Sequence, residues 1–478
     1  MVLHRHIGIS DIIHDTNPHH RAYGSHYATS DIPKDKLPKG STDASAVYQL
    51  IHDELQLDVR HSSNMATFIN TWMEPEAEKL IMESLPTNLA EELEYPATIR
   101  IQSRCVSIIG DLWKSKNAFG TSTGGSSEAI QMAGLAMKKC WQAKRRERGL
   151  NTSHPNILMA SNAQVALLKF ARYFDVEARL VPISEKSHHC LDIEEAINFC
   201  DENTIGVFVI LGSTYTGHFE NVEGMAKLLD GLQEEKGWDI PIHVDAASGG
   251  FVAPFAFPNL RWSFEIDRVK SISASGHKFG LVYPTVGWIL WRDESFLPKE
   301  LIFELHYLSG VQQSYTLSFS RPACFVVAAY YNLIRLGHSG FRSIIENCLL
   351  NATFLSRRLE DSGYFDVLSD MHRPLGVYGA DYKKGAEGKP QNPSLPVVVF
   401  KLTDEFKKQN FHVKQVAVTT VLRSKGWTVP NYPLAKGEEG IEILRVVVRE
   451  SLSKELVEQL VRDIFESVKI LQGNTSKL

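Results

Sequence analysis

The sequence predicts an α/β protein, with a mostly parallel sheet in a large domain and a small α+β domain at the carboxyl terminus. From about residue 125 onward, helix-like and strand-like patterns alternate, which is typical of a sheet built from βαβ units. Two later runs, 204–214 and 240–251, are short, apolar and rich in β-branched residues, as expected of strands buried on both faces. The composition changes near residue 345, where a second group of strands and helices begins.

Three segments follow from these patterns. Residues 1–60 are polar and rich in loops around one amphipathic stretch, so we expect an amino-terminal arm there. Residues 61–345 are expected to form the large domain and residues 346–478 the small one. Within the small domain, a polar Gly/Pro/Lys loop at 381–396 separates two halves.

Each predicted element has its own signal, either a period of 3.6 residues for a helix or a short β-branched run for a strand. In the large domain we expect helices at 125–148, 163–174 and 325–337, and strands at 156–161, 177–183, 204–214, 240–251 and 269–276. In the small domain we expect strands at 396–403 and 441–449 and helices at 413–427 and 453–468.

Bulk composition excludes several classes of function. The chain has 478 residues, 43% of them hydrophobic, and a net charge of -5, so it has no basic field for nucleic acid or for an anionic membrane. Its six cysteines are scattered without CxxC spacing, and no apolar run is long enough to cross a bilayer. A small-molecule substrate and a cytoplasmic location are therefore expected. There is no HExxH or EF-hand pattern, so no metal site is predicted.

The first chemical feature is a pair of hydroxyls at the start of a helix. Ser126 and Ser127 precede a run rich in Ala, Met and Leu. Free N–H groups and a partial positive charge at a helix amino terminus suit a phosphate dianion. A Ser-rich cap followed by Glu is also an ordinary way to begin a helix, so this feature is weak alone.

The second and third features are Asp245 and Lys278. Asp245 ends a buried strand, where ligands gather in open α/β sheets. A carboxylate there could hold a pyridinium nitrogen in its protonated form, although a turn residue is the plainer interpretation. Lys278, between His277 and Phe279, follows an apolar strand and can be desolvated, which lowers an amine pKa and favours covalent attachment of an aldehyde. The order phosphate cradle, acid, lysine is coherent for a pyridoxal-phosphate (PLP) enzyme.

Six motifs strengthen this interpretation. They are GSSEA (125–129), FARYFDVE (170–177), DENTIG (201–206), HVDAASGGF (243–251), SISASGHKFG (271–280) and LRVVVRE (444–450). In order and spacing they resemble the glutamate decarboxylases, which are group II PLP-dependent amino-acid decarboxylases, and especially their fungal branch. The resemblance covers about residues 25–470 and implies a type I PLP-dependent transferase (aspartate aminotransferase-like) fold, with at least a homodimer whose active sites are shared between subunits.

The resemblance also implies roles for individual residues. Lys278 would hold the cofactor, Asp245 its ring nitrogen, and His277 would join them in the catalytic set and contact the phosphate. The other residues implied to contact the cofactor are Ser126, Ser127 and Ser275 at the phosphate, Ser320 from the neighbouring subunit, Gln164 and Ala247 on the two faces of the ring, and Thr214 near the phenolic oxygen. The substrate pocket would comprise Thr67, Phe68 and Asn88, and Glu91 is a further candidate for it.

Several positions near the predicted pocket depart from the family pattern. Glu91 stands where aspartate is usual, Thr285 where glycine is usual, and Ser318 where asparagine is usual. If Glu91 faces the substrate, its extra methylene moves polar atoms inward by roughly 1.3 to 1.5 Å, which would suit a substrate one carbon shorter. The resemblance implies decarboxylation of a small acidic L-amino acid. Because several pocket positions differ together, we lean towards L-aspartate giving β-alanine, with L-glutamate giving γ-aminobutyrate as the alternative.

One other enzyme class has a motif in the chain. GTSTG (120–124) matches the GxSxG nucleophile elbow, and Ser122, Asp245 and His277 occur in the hydrolase order. An elbow should follow an apolar strand, and here KSKNAF precedes it. A serine hydrolase is therefore only a remote alternative.

Overall fold

The computed structural model describes residue 32 and residues 34–306, 312–379 and 390–473. The chain divides into two compact units, 1–60 and 61–478. Much of the predicted arm and part of the predicted loop at 381–396 lie outside the described residues. In the first unit, helix α1 (Ala44–Leu55) begins at Asp43, whose carboxylate accepts hydrogen bonds from the backbone N–H groups of Ser45 and Ala46.

The second unit contains the remaining helices and strands. Its helices are α2 (Pro75–Ser84), α3 (Pro96–Leu112), α4 (Ser126–Glu147), α5 (Val165–Tyr173), α6 (Ile193–Ala196), α7 (Val222–Lys236), α8 (Ala253–Ala256), α9 (Cys324–Asp361), α10 (Asp404–Gln409), α11 (Gln415–Ser424) and α12 (Lys454–Leu471). Its strands are β1 (Phe119–Thr123), β2 (Asn156–Ala160), β3 (Glu177–Val181), β4 (Thr204–Ile210), β5 (Ile242–Asp245), β6 (Val269–Ser275), β7 (Gly287–Trp291), β8 (Phe303–Leu305), β9 (Gln312–Ser314), β10 (Phe365–Val367), β11 (Val397–Leu402), β12 (Asn431–Pro433) and β13 (Glu442–Val447).

A seven-stranded sheet forms the centre of this unit, in the order β1-β7-β6-β5-β4-β2-β3. Strands β3, β2, β4, β5 and β6 are parallel, while β7 runs antiparallel to both β6 and β1. Every residue of β2, β4 and β5 is buried, because helices such as α4 cover the sheet. The predicted α/β fold with a mostly parallel sheet is confirmed.

A second sheet follows in the order β10-β11-β13-β12, with antiparallel neighbours and its own apolar core that includes Phe365, Phe400 and Leu460. The predicted boundary between the two domains, at residue 345, falls inside α9, which is kinked where Gly337 adopts a φ of 55°. The boundary itself stays a prediction. No helix among the described residues combines the length and the apolar character needed to cross a membrane.

The register of the parallel strands sets the position of the site. Ile210, the last residue of β4, pairs with Asp245, the last residue of β5, and Asp245 in turn pairs with Ser273 of β6. The predicted strand at 240–251 was too long, because the chain turns immediately after Asp245. The backbone N–H of Gly249 then bonds to the Leu211 carbonyl, so closely that a Cβ on this glycine would lie 2.2 Å from that oxygen.

Candidate active site

A cavity of about 460 Å³ opens at the carboxyl ends of β4, β5 and β6. This volume is within the range of small-molecule and cofactor sites. The residues predicted from the sequence that line it are Ser126, Ser127, Gln164, Thr214, Asp245, Ala247, Ser275, His277 and Lys278. The cavity therefore brings together residues from five separate stretches of the chain.

One end of the cavity is formed by the start of α4. The Ser275 hydroxyl donates to the Ser126 hydroxyl at 2.8 Å, which joins the end of β6 to the start of the helix. The backbone of Gly287 passes so close that a Cβ there would lie 2.3 Å from the carbonyl carbon of Gly125. Small residues at this point leave the N–H groups of the first helical turn and two hydroxyls near one another, which is the donor set that an anion needs.

Asp245 and Lys278 both line the cavity, and each interacts with the charge of the other. The Asp245 side chain is 3% exposed and accepts a hydrogen bond from the Ala247 N–H at 3.0 Å. Burial raises the pKa of Asp245, and the charge of Lys278 acts against that rise. Burial likewise lowers the pKa of the Lys278 amine, with Asp245 opposing and Arg445 assisting. The pair is thus an acid and an amine that are both poorly solvated.

The Lys278 amine also interacts with Ser248 and Phe68. Its Nζ donates to the Ser248 hydroxyl at 3.1 Å and lies 5.3 Å from the centroid of the Phe68 ring. The Arg445 guanidinium lies 5.0 Å from the same centroid. The Phe68 ring therefore lies beside both the Lys278 amine and the Arg445 guanidinium, and it makes a cation–π contact with the guanidinium.

Arg445, which the sequence reasoning did not select, lies beside the cavity, because it bonds to the lining residue Thr214. Arg445 is 8% exposed on β13, and it donates to the Thr214 carbonyl at 2.7 Å and to the Ala66 carbonyl at 2.6 Å. Its Nε is buried without a partner among the described residues. The signal in the sequence was a charged residue in the middle of an apolar strand, because such a residue is costly to bury without a function or a partner.

His277 is also held in a poorly solvated position. Burial, chiefly, lowers the pKa of its imidazole to about 4, so the ring is neutral at physiological pH. Its Nδ1 is buried and has no hydrogen-bond partner within the part of the chain that the structure describes. The imidazole can therefore donate or accept a hydrogen bond but does not supply a positive charge.

The remaining predicted residues are not among the described residues that line the cavity: Thr67, Phe68, Asn88, Glu91 and Ser320. Thr67 lies at its edge, where its hydroxyl accepts from the N–H of Ile69, a lining residue. Asn88 donates to Glu91 Oε1 at 3.1 Å and lies 3.5 Å from the Ser320 hydroxyl. The last three residues thus form a separate cluster within one chain.

The geometry does not support a serine hydrolase. Ser122 is not at an elbow after a strand; it is inside β1 and is 1% exposed. Its hydroxyl donates to the Gln102 side chain at 2.5 Å, and it is not among the described residues that line the cavity with Asp245 and His277.

The described residues fit pyridoxal phosphate. The cofactor has an aldehyde, a phosphate and a basic ring nitrogen, and the cavity offers an amine, an anion cradle and a buried acid in positions that one small molecule can reach. The orphaned His277 Nδ1 and the glycine-lined approach to α4 provide a further polar contact and the room for a phosphate. Together with the sheet topology, this arrangement defines a PLP-dependent enzyme of fold type I.

Comparisons with known proteins show which group of PLP-dependent enzymes this chain resembles. The pyridoxal-dependent decarboxylase conserved domain matches residues 38–379. The chain is 43% identical over 470 residues to a glutamate decarboxylase of Petunia hybrida, covering 97% of this chain and 87% of that protein. It is 45% identical over 456 residues to a glutamate decarboxylase of Saccharomyces cerevisiae, covering 90% and 78%. The solved structure of Lactobacillus brevis glutamate decarboxylase superimposes with a TM-score of 0.86 at 36% identity, covering 94% and 97%.

The chain therefore belongs to the pyridoxal-dependent decarboxylase family. It is a carboxy-lyase, its cofactor is pyridoxal phosphate, and its substrate is a small amino acid. The expected leaning towards aspartate is not supported, because the relatives are glutamate decarboxylases.

Proposed function

We propose that this protein catalyses the α-decarboxylation of L-glutamate to γ-aminobutyrate and carbon dioxide. The Cα–carboxylate bond breaks, CO2 leaves, and a proton takes its place on Cα. The observation that carries the proposal is the identity of 43% to a glutamate decarboxylase over nearly the full length of the chain. The cavity at Asp245 and Lys278 supports it, since it presents the chemical groups that such a reaction needs.

The cofactor residues divide by the part of the molecule that they would hold. Lys278 would carry it through the amine, and Asp245 would keep a proton on its ring nitrogen. The phosphate would be bound by Ser126, Ser127, Ser275 and His277, the ring faces by Gln164 and Ala247, and the phenolic oxygen by Thr214. The contact of His277 with the phosphate would be a hydrogen bond donated by its imidazole.

When bound, the cofactor supplies an electron sink for the electron pair that CO2 leaves behind. Burial of Lys278 favours its neutral, nucleophilic amine, which is the form that can bond to an aldehyde. Burial of Asp245 makes its ionised form costly without a cationic partner, so a protonated ring nitrogen is stabilised strongly. Both effects depend on keeping water away from the base of the cavity.

Arg445 is the residue best placed to bind a carboxylate of the substrate. Its guanidinium is buried, remains charged, and is held beside Phe68 and Lys278 by two backbone carbonyls. Nη1 and Nη2 each donate one hydrogen bond to a backbone carbonyl, and Tyr432 is a further side-chain partner, so a carboxylate would be bound by the N–H groups that remain. Phe68, whose ring lies near both the Lys278 amine and this guanidinium, would form part of the pocket wall. Thr67 would form the neighbouring wall.

Asn88, Glu91 and Ser320 would act in the active site of a second subunit. They cluster together apart from the cavity of their own chain, which suits residues that complete the site of a partner in a homodimer. Ser320 of the partner subunit would then reach the phosphate. Sedimentation of the holoenzyme as a monomer would exclude this arrangement.

The six cysteines are unpaired, as expected in the reducing cytoplasm, and we propose that location for the enzyme. Recovery of the native protein from a secretory compartment would contradict it.

A paired assay tests the substrate. Purified holoenzyme is given L-glutamate or L-aspartate at equal concentration, and release of CO2 is measured together with the amine product. We expect γ-aminobutyrate from glutamate, with a higher kcat/KM than for aspartate. A higher kcat/KM for aspartate would overturn the substrate assignment and leave the decarboxylase class intact.

A further inference from the structure

Glu128 joins two parts of the cavity wall that are far apart in the sequence. It is the third residue of α4, and its Oε2 accepts the N–H of Gly124 at 2.7 Å. Its Oε1 accepts the N–H of Ser318 at 2.9 Å. Gly124, Glu128 and Ser318 all line the cavity. One carboxylate therefore links the turn before the phosphate-binding helix to the segment that follows β9.

The charge of Glu128 is unfavourable for binding a phosphate at the start of α4. A phosphate dianion at the start of α4 is repelled by a negative charge in the first helical turn. Two features offset that repulsion in the free protein. The charge is favourable at the positive end of the helix. It is also attracted by Arg321, whose pKa is lowered by burial, with Glu128 as the largest opposing influence.

We propose that Glu128 is a positioning residue for the cofactor, which holds the Ser318 segment against the phosphate cradle and so closes one wall of the cavity. Two charge-assisted bonds from one side chain are stronger than neutral ones and fix both distance and direction. The contact at residue 318 is made by the backbone, so it is unaffected by the unusual serine at this position. The inference rests on the proposed cofactor site and is independent of which amino acid is the substrate.

Two substitutions separate this role from a simple effect of charge. Glu128→Gln keeps the size of the side chain, but its amide oxygen can satisfy one N–H well and its NH2 group faces the other as a second donor. Glu128→Asp keeps the charge, but it is shorter by about 1.5 Å and cannot span both segments. Glu147→Gln is the matched control, because Glu147 is an exposed residue at the other end of the same helix.

The measurement is titration of each apoenzyme with pyridoxal phosphate, followed by the absorbance of the bound cofactor. Loss of one charge-assisted bond predicts a dissociation constant about tenfold higher for Glu128→Gln and for Glu128→Asp, and no change for Glu147→Gln. Amide hydrogen exchange of the peptide covering residues 312–320 should also become faster in both Glu128 variants and stay the same in the control.

Charge repulsion predicts the opposite pattern. Without a positioning role, Glu128→Gln would bind the cofactor more tightly and Glu128→Asp would bind it as the wild type does. Either result would overturn the proposal, as would unchanged exchange at 312–320. If Glu128→Gln does not fold, Glu128→Asp provides the same test. If the wild-type holoenzyme does not decarboxylate glutamate but the Glu128 variants still bind the cofactor more weakly than the wild type, the substrate assignment is refuted and the positioning role of Glu128 stands.

Discussion

Replacing Arg445 with lysine keeps a positive charge in the proposed substrate pocket and removes the planar fork of the guanidinium. In the wild type, Nη1 donates to the Thr214 carbonyl at 2.7 Å and Nη2 to the Ala66 carbonyl at 2.6 Å. A lysine ammonium is a point charge that cannot hold both carbonyls and a substrate carboxylate in one fixed geometry. Loss of one hydrogen bond to a charged group costs about 1.5–3 kcal/mol. We therefore expect kcat/KM for glutamate to fall roughly 10- to 150-fold in Arg445→Lys.

Arg268→Lys is the matched control for this experiment. Arg268 is also 8% exposed, and it bonds to Asp230, to Gln233 and to the Ile240 carbonyl. These three partners are not among the described residues that line the cavity, whereas Arg445 bonds to Thr214, which does line it. Substitution of Arg268 should lower the stability to urea and leave kcat/KM unchanged. The assay is steady-state CO2 release at saturating cofactor. If Arg445→Lys loses no more kcat/KM than Arg268→Lys, Arg445 does not bind the substrate carboxylate.

Two further predictions concern stability. Thr285 is exposed and has a φ of 85°, a conformation that is strained by about 1–3 kcal/mol for a β-branched residue. Glycine relieves this strain but loses more backbone entropy on folding, so Thr285→Gly should raise the free energy of unfolding by about 1 kcal/mol. Thr285→Ala keeps the Cβ and should give less than this gain in urea unfolding; an equal gain would refute the strain argument. Burial raises the pKa of Glu220 from an ordinary 4.5 to about 8. Between pH 4.5 and pH 8 the folded protein therefore holds a proton that the unfolded chain has released, and the free energy of unfolding falls as the pH rises. Glu220→Gln should lose this part of the pH dependence when unfolding is compared at pH 5 and pH 7.5, and parallel curves for the two proteins would contradict the assignment.

The fold and the base of the site could be predicted because both follow from local patterns. Apolar strands end at Asp245 and just before Lys278, and parallel strands bring their carboxyl ends to one edge of a sheet. The hydroxyls at Ser126 and Ser127 belong to a helix start, which is also a local feature. The end of β5 was misplaced, because apolar and small residues continue after Asp245 while the backbone already turns.

The rest of the site depends on contacts that local patterns do not reveal. Arg445 comes from the second sheet, about two hundred residues from Asp245 along the chain, and its bond to the Thr214 carbonyl brings it beside the cavity. Asn88 and Ser320 lie together although 232 positions separate them. Glu91 bonds to Asn88 in the same chain, so its extra methylene gives no direct measure of substrate length.

The central claim is that Lys278 carries the cofactor opposite Asp245. Holoenzyme treated with borohydride, digested and analysed by mass spectrometry tests it directly, since reduction fixes the cofactor to the lysine that holds it. We predict a phosphopyridoxyl group on the peptide that contains Lys278, and its loss in Lys278→Ala. A label on a different lysine, or an unlabelled protein that had bound the cofactor, would contradict the account.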